Sequence, residues 1–176
     1  INAGAEVIVT NTFVGRKIRL TENKVEEHFN YINEQACILA IKAKEISKKK
    51  ILIAGSLPSQ TDTYVEDKRD TVSIEKDFYD QAKIISPLID FFYLDVLSSL
   101  KEVKLAVKAI ESFNKPYLIG AHISDGTKLP SNDVISSLID KIEHKNLLGL
   151  LLSCVSPETY EKNLNEIKNL GVPFGF

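Results

Sequence analysis

The alternation of short apolar runs with longer amphipathic segments constrains the fold of this chain more than any other feature. Six runs are apolar and bounded by polar or turn residues, which predicts buried parallel strands. These predicted strands are Val7 to Thr10, Ile51 to Ala54, Phe91 to Leu94, Tyr117 to Gly120, Leu148 to Ser153 and Val172 to Phe176. Between them, apolar residues recur at helical spacing. The predicted helices are Asn23 to Ser47, Ile74 to Ile85, Leu100 to Phe113, Val134 to Glu143 and Pro157 to Asn169.

Strands that alternate with helices imply parallel βαβ units, and two architectures can be built from them, an eight-stranded barrel or an open doubly wound sheet. No Gly-x-Gly-x-x-Gly follows a predicted strand, so the signature of a dinucleotide-binding sheet is missing. We therefore predict an α/β fold of the (β/α)8 TIM-barrel type, present as a partial barrel of about six strands. We expect a single domain over residues 1–176.

The two ends of the sequence bear on this prediction. The chain has no methionine, and Ile1 opens on what reads as the tail of a helix. The last residues read as another strand. We therefore expect a barrel that lacks its first strand and its C-terminal segment.

The composition of the chain excludes some classes of binding partner. The chain has 22 basic and 24 acidic residues, and these charges are spread along the sequence, so we expect neither a nucleic acid nor a membrane partner. No apolar stretch approaches the roughly 20 residues of a membrane span, and no signal peptide is recognisable, which favours a cytoplasmic protein. The two cysteines, Cys37 and Cys154, are too few for a disulfide framework and indicate a reducing compartment.

In a barrel of this kind the active site is built where the strands end. Several polar residues occupy these positions, although they could also serve only to satisfy loop backbone groups. They are Asn11, Thr12, Ser56, Asp95, His122, Ser124, Asp125 and Cys154. Cys154 stands where a barrel presents a metal ligand or a nucleophile, whereas Cys37 lies within a predicted helix and is expected in the core. His122 is well placed for a metal but could equally hydrogen-bond a loop. No lysine ends a strand, which argues against a Schiff-base aldolase.

Several segments, in order along the chain, resemble the homocysteine S-methyltransferase family. The likeness begins with Asn2 to Phe13, which ends in Thr-Asn-Thr-Phe like the family's second strand. It continues through Ala54-Gly-Ser-Leu-Pro58 with Tyr64, Phe92 to Leu100, Ser124 to Leu129, Leu152-Ser-Cys-Val-Ser-Pro157 and Gly171-Val-Pro-Phe-Gly175. The resemblance covers essentially the whole chain.

This resemblance implies a zinc-dependent transfer of a methyl group to the thiolate of homocysteine, which forms methionine. In the family, zinc is held by three cysteine thiolates and also takes the substrate sulfur. Cys154 matches the first of these ligands. Asp95 takes the place of an acidic residue, usually glutamate, that receives the substrate's amino group, and Asn11, Phe13 and Ser56 would line the pocket. The implied cofactor is therefore zinc, and the implied partners are homocysteine and a methyl donor. The methyl donor and the oligomeric state are not indicated.

The sequence also departs from the family. The Gly-Gly-Cys-Cys segment that supplies the other two zinc thiolates is absent, and Asp95-Val96 replaces the usual Glu-Thr. We therefore expect the 176-residue polypeptide to be inactive alone. Two alternatives stay open: a barrel lyase or hydrolase that uses Asp95 and Asp125 as acid and base, and a degenerate, non-catalytic binding module.

Overall fold

The computed structural model describes residues 1–124, 126–142 and 145–176, and its centre is a sheet of parallel strands in the order β1 to β6. The strands are β1 Val7–Val9, β2 Leu52–Pro58, β3 Phe91–Leu97, β4 Tyr117–Ala121, β5 Leu147–Leu152 and β6 Phe174–Gly175. Every neighbouring pair is parallel. A doubly wound sheet reverses its strand order at a switch point, and this order is strictly sequential. The predicted partial TIM-type barrel of six strands is therefore confirmed.

Helices follow the strands and pack on the outer side of the sheet. They are α1 Lys17–Glu22, α2 Phe29–Ser47, α3 Thr71–Ile85, α4 Leu100–Ile110, α5 Ser137–Asp140 and α6 Pro157–Lys168. Short 3-10 turns occupy Glu26–His28, Ser86–Leu88 and Glu111–Phe113. The core between helices and sheet is made of fully buried side chains such as Phe78, Phe92, Leu94, Ile119 and Leu138. Burial of such side chains is the main favourable term in the stability of the fold.

The first turns of three helices are capped by side chains. Ser99 and Ser156 cap α4 and α6, because each side-chain oxygen accepts a hydrogen bond from a backbone N–H of the first turn. Asp70 caps α3 in the same way. Gly171, just after α6, adopts a φ of +70°, a conformation that glycine takes without steric cost.

Two predicted helices have different bounds. The helix predicted from Asn23 begins at Phe29, because Lys24 has a φ of +58° and separates it from the short helix α1. The helix predicted from Val134 to Glu143 is reduced to α5 in the described residues, because Val134 instead pairs with Lys128 in an antiparallel bridge. Glu143 lies outside the described residues.

A membrane crossing needs a long apolar helix, and none is found within residues 1–124, 126–142 and 145–176.

Candidate active site at the carboxyl ends of the strands

Ser56 and Asp95 meet on neighbouring strands. Both β2 and β3 extend beyond their predicted ends, so these residues lie inside the strands rather than in the loops after them. The Ser56 hydroxyl donates to Asp95 Oδ2 at 2.8 Å. Thr10 and Thr12 anchor Ser56 in turn: the Ser56 amide donates to Thr10 Oγ1 at 3.1 Å, and Thr12 Oγ1 donates to the Ser56 carbonyl at 2.6 Å. The predicted pocket residues Ser56 and Asp95 are thus held in direct contact.

Tyr93 completes the support of the Asp95 carboxylate. It lies two residues before Asp95 on the same strand, so both side chains point to the same face of the sheet. Its hydroxyl lies 2.5 Å from Ser153 Oγ and also hydrogen-bonds Asp95. Burial raises the pKa of Asp95, while the hydrogen bonds from Ser56 and Tyr93 and the charge of Arg16 act in the opposite direction. The sequence analysis missed Tyr93, although its spacing from Asp95 was a usable signal.

A β-bulge in β3 includes Asp95. Between two paired positions β3 advances from Leu94 to Leu97, whereas β4 advances only from Ile119 to Ala121. Val96, which lies in this bulge with Asp95, has a φ of +58°, which is rare for a β-branched side chain. Bulges of this type often lie next to active sites, where they redirect a side chain.

Cys154 is exposed at the end of β5 and also has a left-handed backbone, with a φ of +55°. Tyr64, in the loop after β2, has a φ of +70°. A side-chain hydrogen bond with Cys154 is the main cause that raises the pKa of Tyr64. Each left-handed non-glycine residue costs about 1–2 kcal/mol, and such strain is concentrated at functional sites. Tyr64, Val96 and Cys154 bring three such conformations to the end of the sheet where Asp95 lies, and Lys24, Lys48, Asn114 and Asn132 share the conformation.

Asp95 and Cys154 share one site. The charges of both residues act on the Tyr64 hydroxyl and on the Tyr93 hydroxyl, and both raise the pKa values of these tyrosines. Cys154 therefore lies at the same end of the barrel as the Asp95 carboxylate. Cys37, by contrast, is fully buried in α2, where burial raises its pKa to about 12. It is a core thiol, as predicted.

His122 is fully engaged in the loop structure. Its Nδ1 lies 3.1 Å from the Ser153 carbonyl oxygen, which can only accept, so Nδ1 carries the proton. Its Nε2 then accepts from the Ser124 hydroxyl at 3.0 Å. Burial lowers the pKa of His122, which favours this neutral form. The Tyr64 ring packs against it with 4.3 Å between ring centroids. His122 therefore hydrogen-bonds a loop, the second of the two roles considered for it.

The loop after β1 carries the remaining predicted pocket residues. Asn11 is exposed and Phe13 is half-buried. The guanidinium of Arg16 stacks over the Phe13 ring, 4.9 Å from its centroid. Arg16 is a second residue near the site that the sequence analysis missed, because its burial depends on the distant loop after β2.

A complete metal site is not formed within residues 1–124, 126–142 and 145–176, where no three His, Cys, Asp or Glu side chains group together. A tetrahedral zinc ion needs three or four protein ligands, and Cys154 alone does not meet that need. The alternative acid-base pair of Asp95 with Asp125 stays a prediction, since Asp125 lies outside the described residues.

A cavity of about 460 Å³ opens at the opposite end of the sheet, where the chain enters β4 and β5. Lys104, Asn114, Tyr117 and Asn146 belong to its lining. Ligands of barrel enzymes bind at the carboxyl ends of the strands, so we assign the active site to the mouth with Asp95 and not to this cavity.

Asp95→Asn is expected to raise stability at neutral pH. Because the folded pKa of Asp95 is raised, its favourable contribution is fully present below its unfolded pKa of about 3.9 and is lost as the pH rises through the folded value. Asparagine mimics the protonated acid, so the variant should melt about 2–4 °C above the wild type at pH 8. This advantage should disappear near pH 4. A variant that melts below the wild type at pH 8 would contradict this description of Asp95.

The chain was compared with known protein families and solved structures. The sequence model of the homocysteine S-methyltransferases matches residues 1–176. The fold is similar to crystal structures of the homocysteine methyltransferase MmuM from Escherichia coli. The metallated form has a TM-score of 0.89 at 13% identity, covering 99% of this chain and 67% of that one. The oxidized form has a TM-score of 0.88 at 14% identity, covering 98% of this chain and 65% of that one.

The chain thus spans about two thirds of the length of MmuM. None of the curated protein sequences compared with the chain matches it. The structural similarity, at this low identity, supports the fold, and the match along the sequence supports the kinship. The chain belongs to the homocysteine S-methyltransferase family.

Proposed function

We propose that the barrel mouth is the homocysteine-binding part of a methyltransferase that forms methionine. The observation that carries this proposal is the shared position of the Asp95 carboxylate and the Cys154 thiol, which act on the same two tyrosine hydroxyls. Homocysteine has an ammonium group and a sulfur that must be held together. A desolvated ammonium needs an anionic partner, and Asp95 supplies it. The substrate sulfur then lies toward Cys154.

The support of Asp95 favours this role. Ser56 and Tyr93 both hydrogen-bond the carboxylate, which fixes its orientation before a ligand arrives. Aspartate is one methylene shorter than the glutamate usual in the family. A bulge in β3 spans Asp95 and Val96, and bulges bend the strand that carries them and redirect a side chain. In our proposal this change of direction compensates for the shorter side chain.

Zinc is the cofactor that the family implies, and in that role Cys154 would be one of its thiolates. The described residues do not fit a complete zinc site, because they bring no second and third ligand to Cys154. We therefore propose that the 176-residue polypeptide binds homocysteine but neither holds zinc tightly nor transfers a methyl group by itself.

A methyl-transfer assay tests this proposal. The purified chain, supplied with zinc, S-methylmethionine and homocysteine, is expected to form no methionine above the reaction without protein. Weak zinc binding, measured by competition with a chromophoric chelator, should fall further in Cys154→Ala. The matched control is Cys37→Ala, whose thiol is fully buried in α2 and should not affect zinc. Sustained methionine formation by the wild-type polypeptide would refute the proposed inactivity of the polypeptide by itself.

A further inference from the structure

Arg16 is a buried cation with incomplete hydrogen bonding. It is only 2% exposed, and its Nη1 donates to the carbonyl oxygens of Ser59, at 2.8 Å, and Thr61, at 2.5 Å. Its Nε is buried and, within the part of the chain that the structure describes, has no hydrogen-bond partner. An unpaired buried donor is unfavourable, and more so on a charged group. The side chain therefore has capacity for one more acceptor.

The surrounding carboxylates do not fill this capacity. The negative charges that act on Arg16 belong to Asp62, Glu22 and Asp95. Asp62 and Glu22 both form ion pairs with Arg19, at 2.9 and 3.1 Å. Asp95 accepts hydrogen bonds from Ser56 and Tyr93.

Arg16 also adjoins the barrel mouth. Its guanidinium stacks on Phe13, in the loop after β1, and its positive charge acts on Asp95. The Arg16 cation, which has an unpaired donor, and the Asp95 carboxylate thus lie close enough for their charges to interact. This pairing is complementary to a zwitterion, in which a carboxylate and an ammonium are attached to one carbon.

We infer that Arg16 binds the α-carboxylate of homocysteine while Asp95 binds its ammonium. This assignment rests on the proposed function and adds a second binding residue to it. Guanidinium donors match the planar carboxylate, and a charge-assisted hydrogen bond is about twice as strong as a neutral one. The binding of both ends orients the substrate and leaves its sulfur free to approach Cys154.

Binding of three thiols to the reduced chain, measured by calorimetry, tests the assignment. L-homocysteine has both charged groups, 3-mercaptopropylamine lacks the carboxylate, and 4-mercaptobutyrate lacks the amine. The wild type should prefer homocysteine to 3-mercaptopropylamine by about 10-fold or more, the equivalent of one charge-assisted hydrogen bond. Arg16→Gln should abolish this preference. Asp95→Asn should weaken binding of the two amines and leave 4-mercaptobutyrate nearly unchanged.

Arg16 also holds the loop at Ser59 and Thr61, so Arg16→Gln could disturb folding. A second variant separates this structural effect from a loss of binding. Arg16→Lys keeps the cation but loses the planar fork, and it should retain only part of the preference for homocysteine. Arg19 lies in α1, three residues after Arg16, and forms ion pairs with Glu22 and Asp62, so Arg19→Gln should keep the full preference. If both Arg16 variants weaken homocysteine and 3-mercaptopropylamine by the same factor, Arg16 is only a loop clamp and the assignment is wrong. A wild type that binds none of the three thiols overturns the proposed function itself.

Discussion

Gln81→Leu is expected to lower the free energy of unfolding by about 3–4 kcal/mol, because it removes the centre of a buried amide network. Gln81 is fully buried, and its Nε2 donates to the Thr12 carbonyl and to Asn33 Oδ1, both at 2.9 Å. Its Oε1 accepts from Gln60 Nε2 at 3.0 Å. Leucine has a similar volume but would leave Asn33 Oδ1 without its donor. The Thr12 carbonyl and Gln60 Nε2 would each lose one of two hydrogen bonds, since they also bond the Gly15 amide and the Pro58 carbonyl.

The loss should extend to the barrel mouth. Asn33 donates to the Gly15 carbonyl at 2.8 Å, and Gln60 donates to the Pro58 carbonyl at 2.8 Å. Gln81 therefore joins the loops that follow β1 and β2, which carry the predicted pocket residues. Chemical denaturation measures the effect. Asn30→Leu, an exposed position in α2, is the control and should change stability little. A loss below about 1 kcal/mol for Gln81→Leu would show that the network is not cooperative.

Glu102→Ala is expected to cost about 2–4 kcal/mol at pH 5, because it leaves several buried donors without an acceptor. The carboxylate of Glu102 is fully buried and accepts from Ser59 Oγ at 2.5 Å, Ser99 Oγ at 2.8 Å and the Ser98 amide at 3.3 Å. It therefore connects the first turn of α4 to the loop after β2. Ser99 caps α4 in return, because its hydroxyl oxygen accepts from the Glu102 amide at 3.1 Å.

The size of this loss should depend on pH. Burial raises the pKa of Glu102, against the hydrogen bonds from Ser59 and Ser99. The stability that Glu102 contributes is then fully present below its unfolded pKa of about 4.3 and decreases as the pH rises through the folded value. The loss in Glu102→Ala should be smaller at pH 8 than at pH 5, with the exposed Glu161→Ala as control. An equal loss at both pH values would contradict the raised pKa.

The fold was accessible from the sequence because apolar periodicity directly reflects burial. The six strands and the order of helices followed from it, and the absence of a dinucleotide signature favoured the barrel. The positions at which strands end were harder to predict from the sequence. The apolar runs stop at Ala54 and Leu94, but β2 and β3 continue through residues whose polar side chains point into the mouth.

Residues of the candidate site could be predicted from the sequence where they belong to a recognisable local motif. The residues around Asp95, Cys154 and Ser56 indicate that all three lie at one end of the sheet, and their roles in binding stay predictions. Arg16 was not predicted, because its role depends on burial under a loop more than 40 residues away in sequence. The left-handed backbone of Val96 was equally hidden, since valine ordinarily avoids that conformation. Strain of this kind is set by the surrounding sheet, which the sequence of one segment does not show.

The most direct test of the central claim is to map where homocysteine binds. Amide chemical shifts of the reduced, isotope-labelled chain would be followed by NMR as L-homocysteine is added. We predict that the largest changes lie at Ser56, Asp95 and Cys154, with smaller ones at Tyr93. Saturable changes confined to the cavity near Asn114 and Tyr117, or no saturable change at the mouth, would contradict the account.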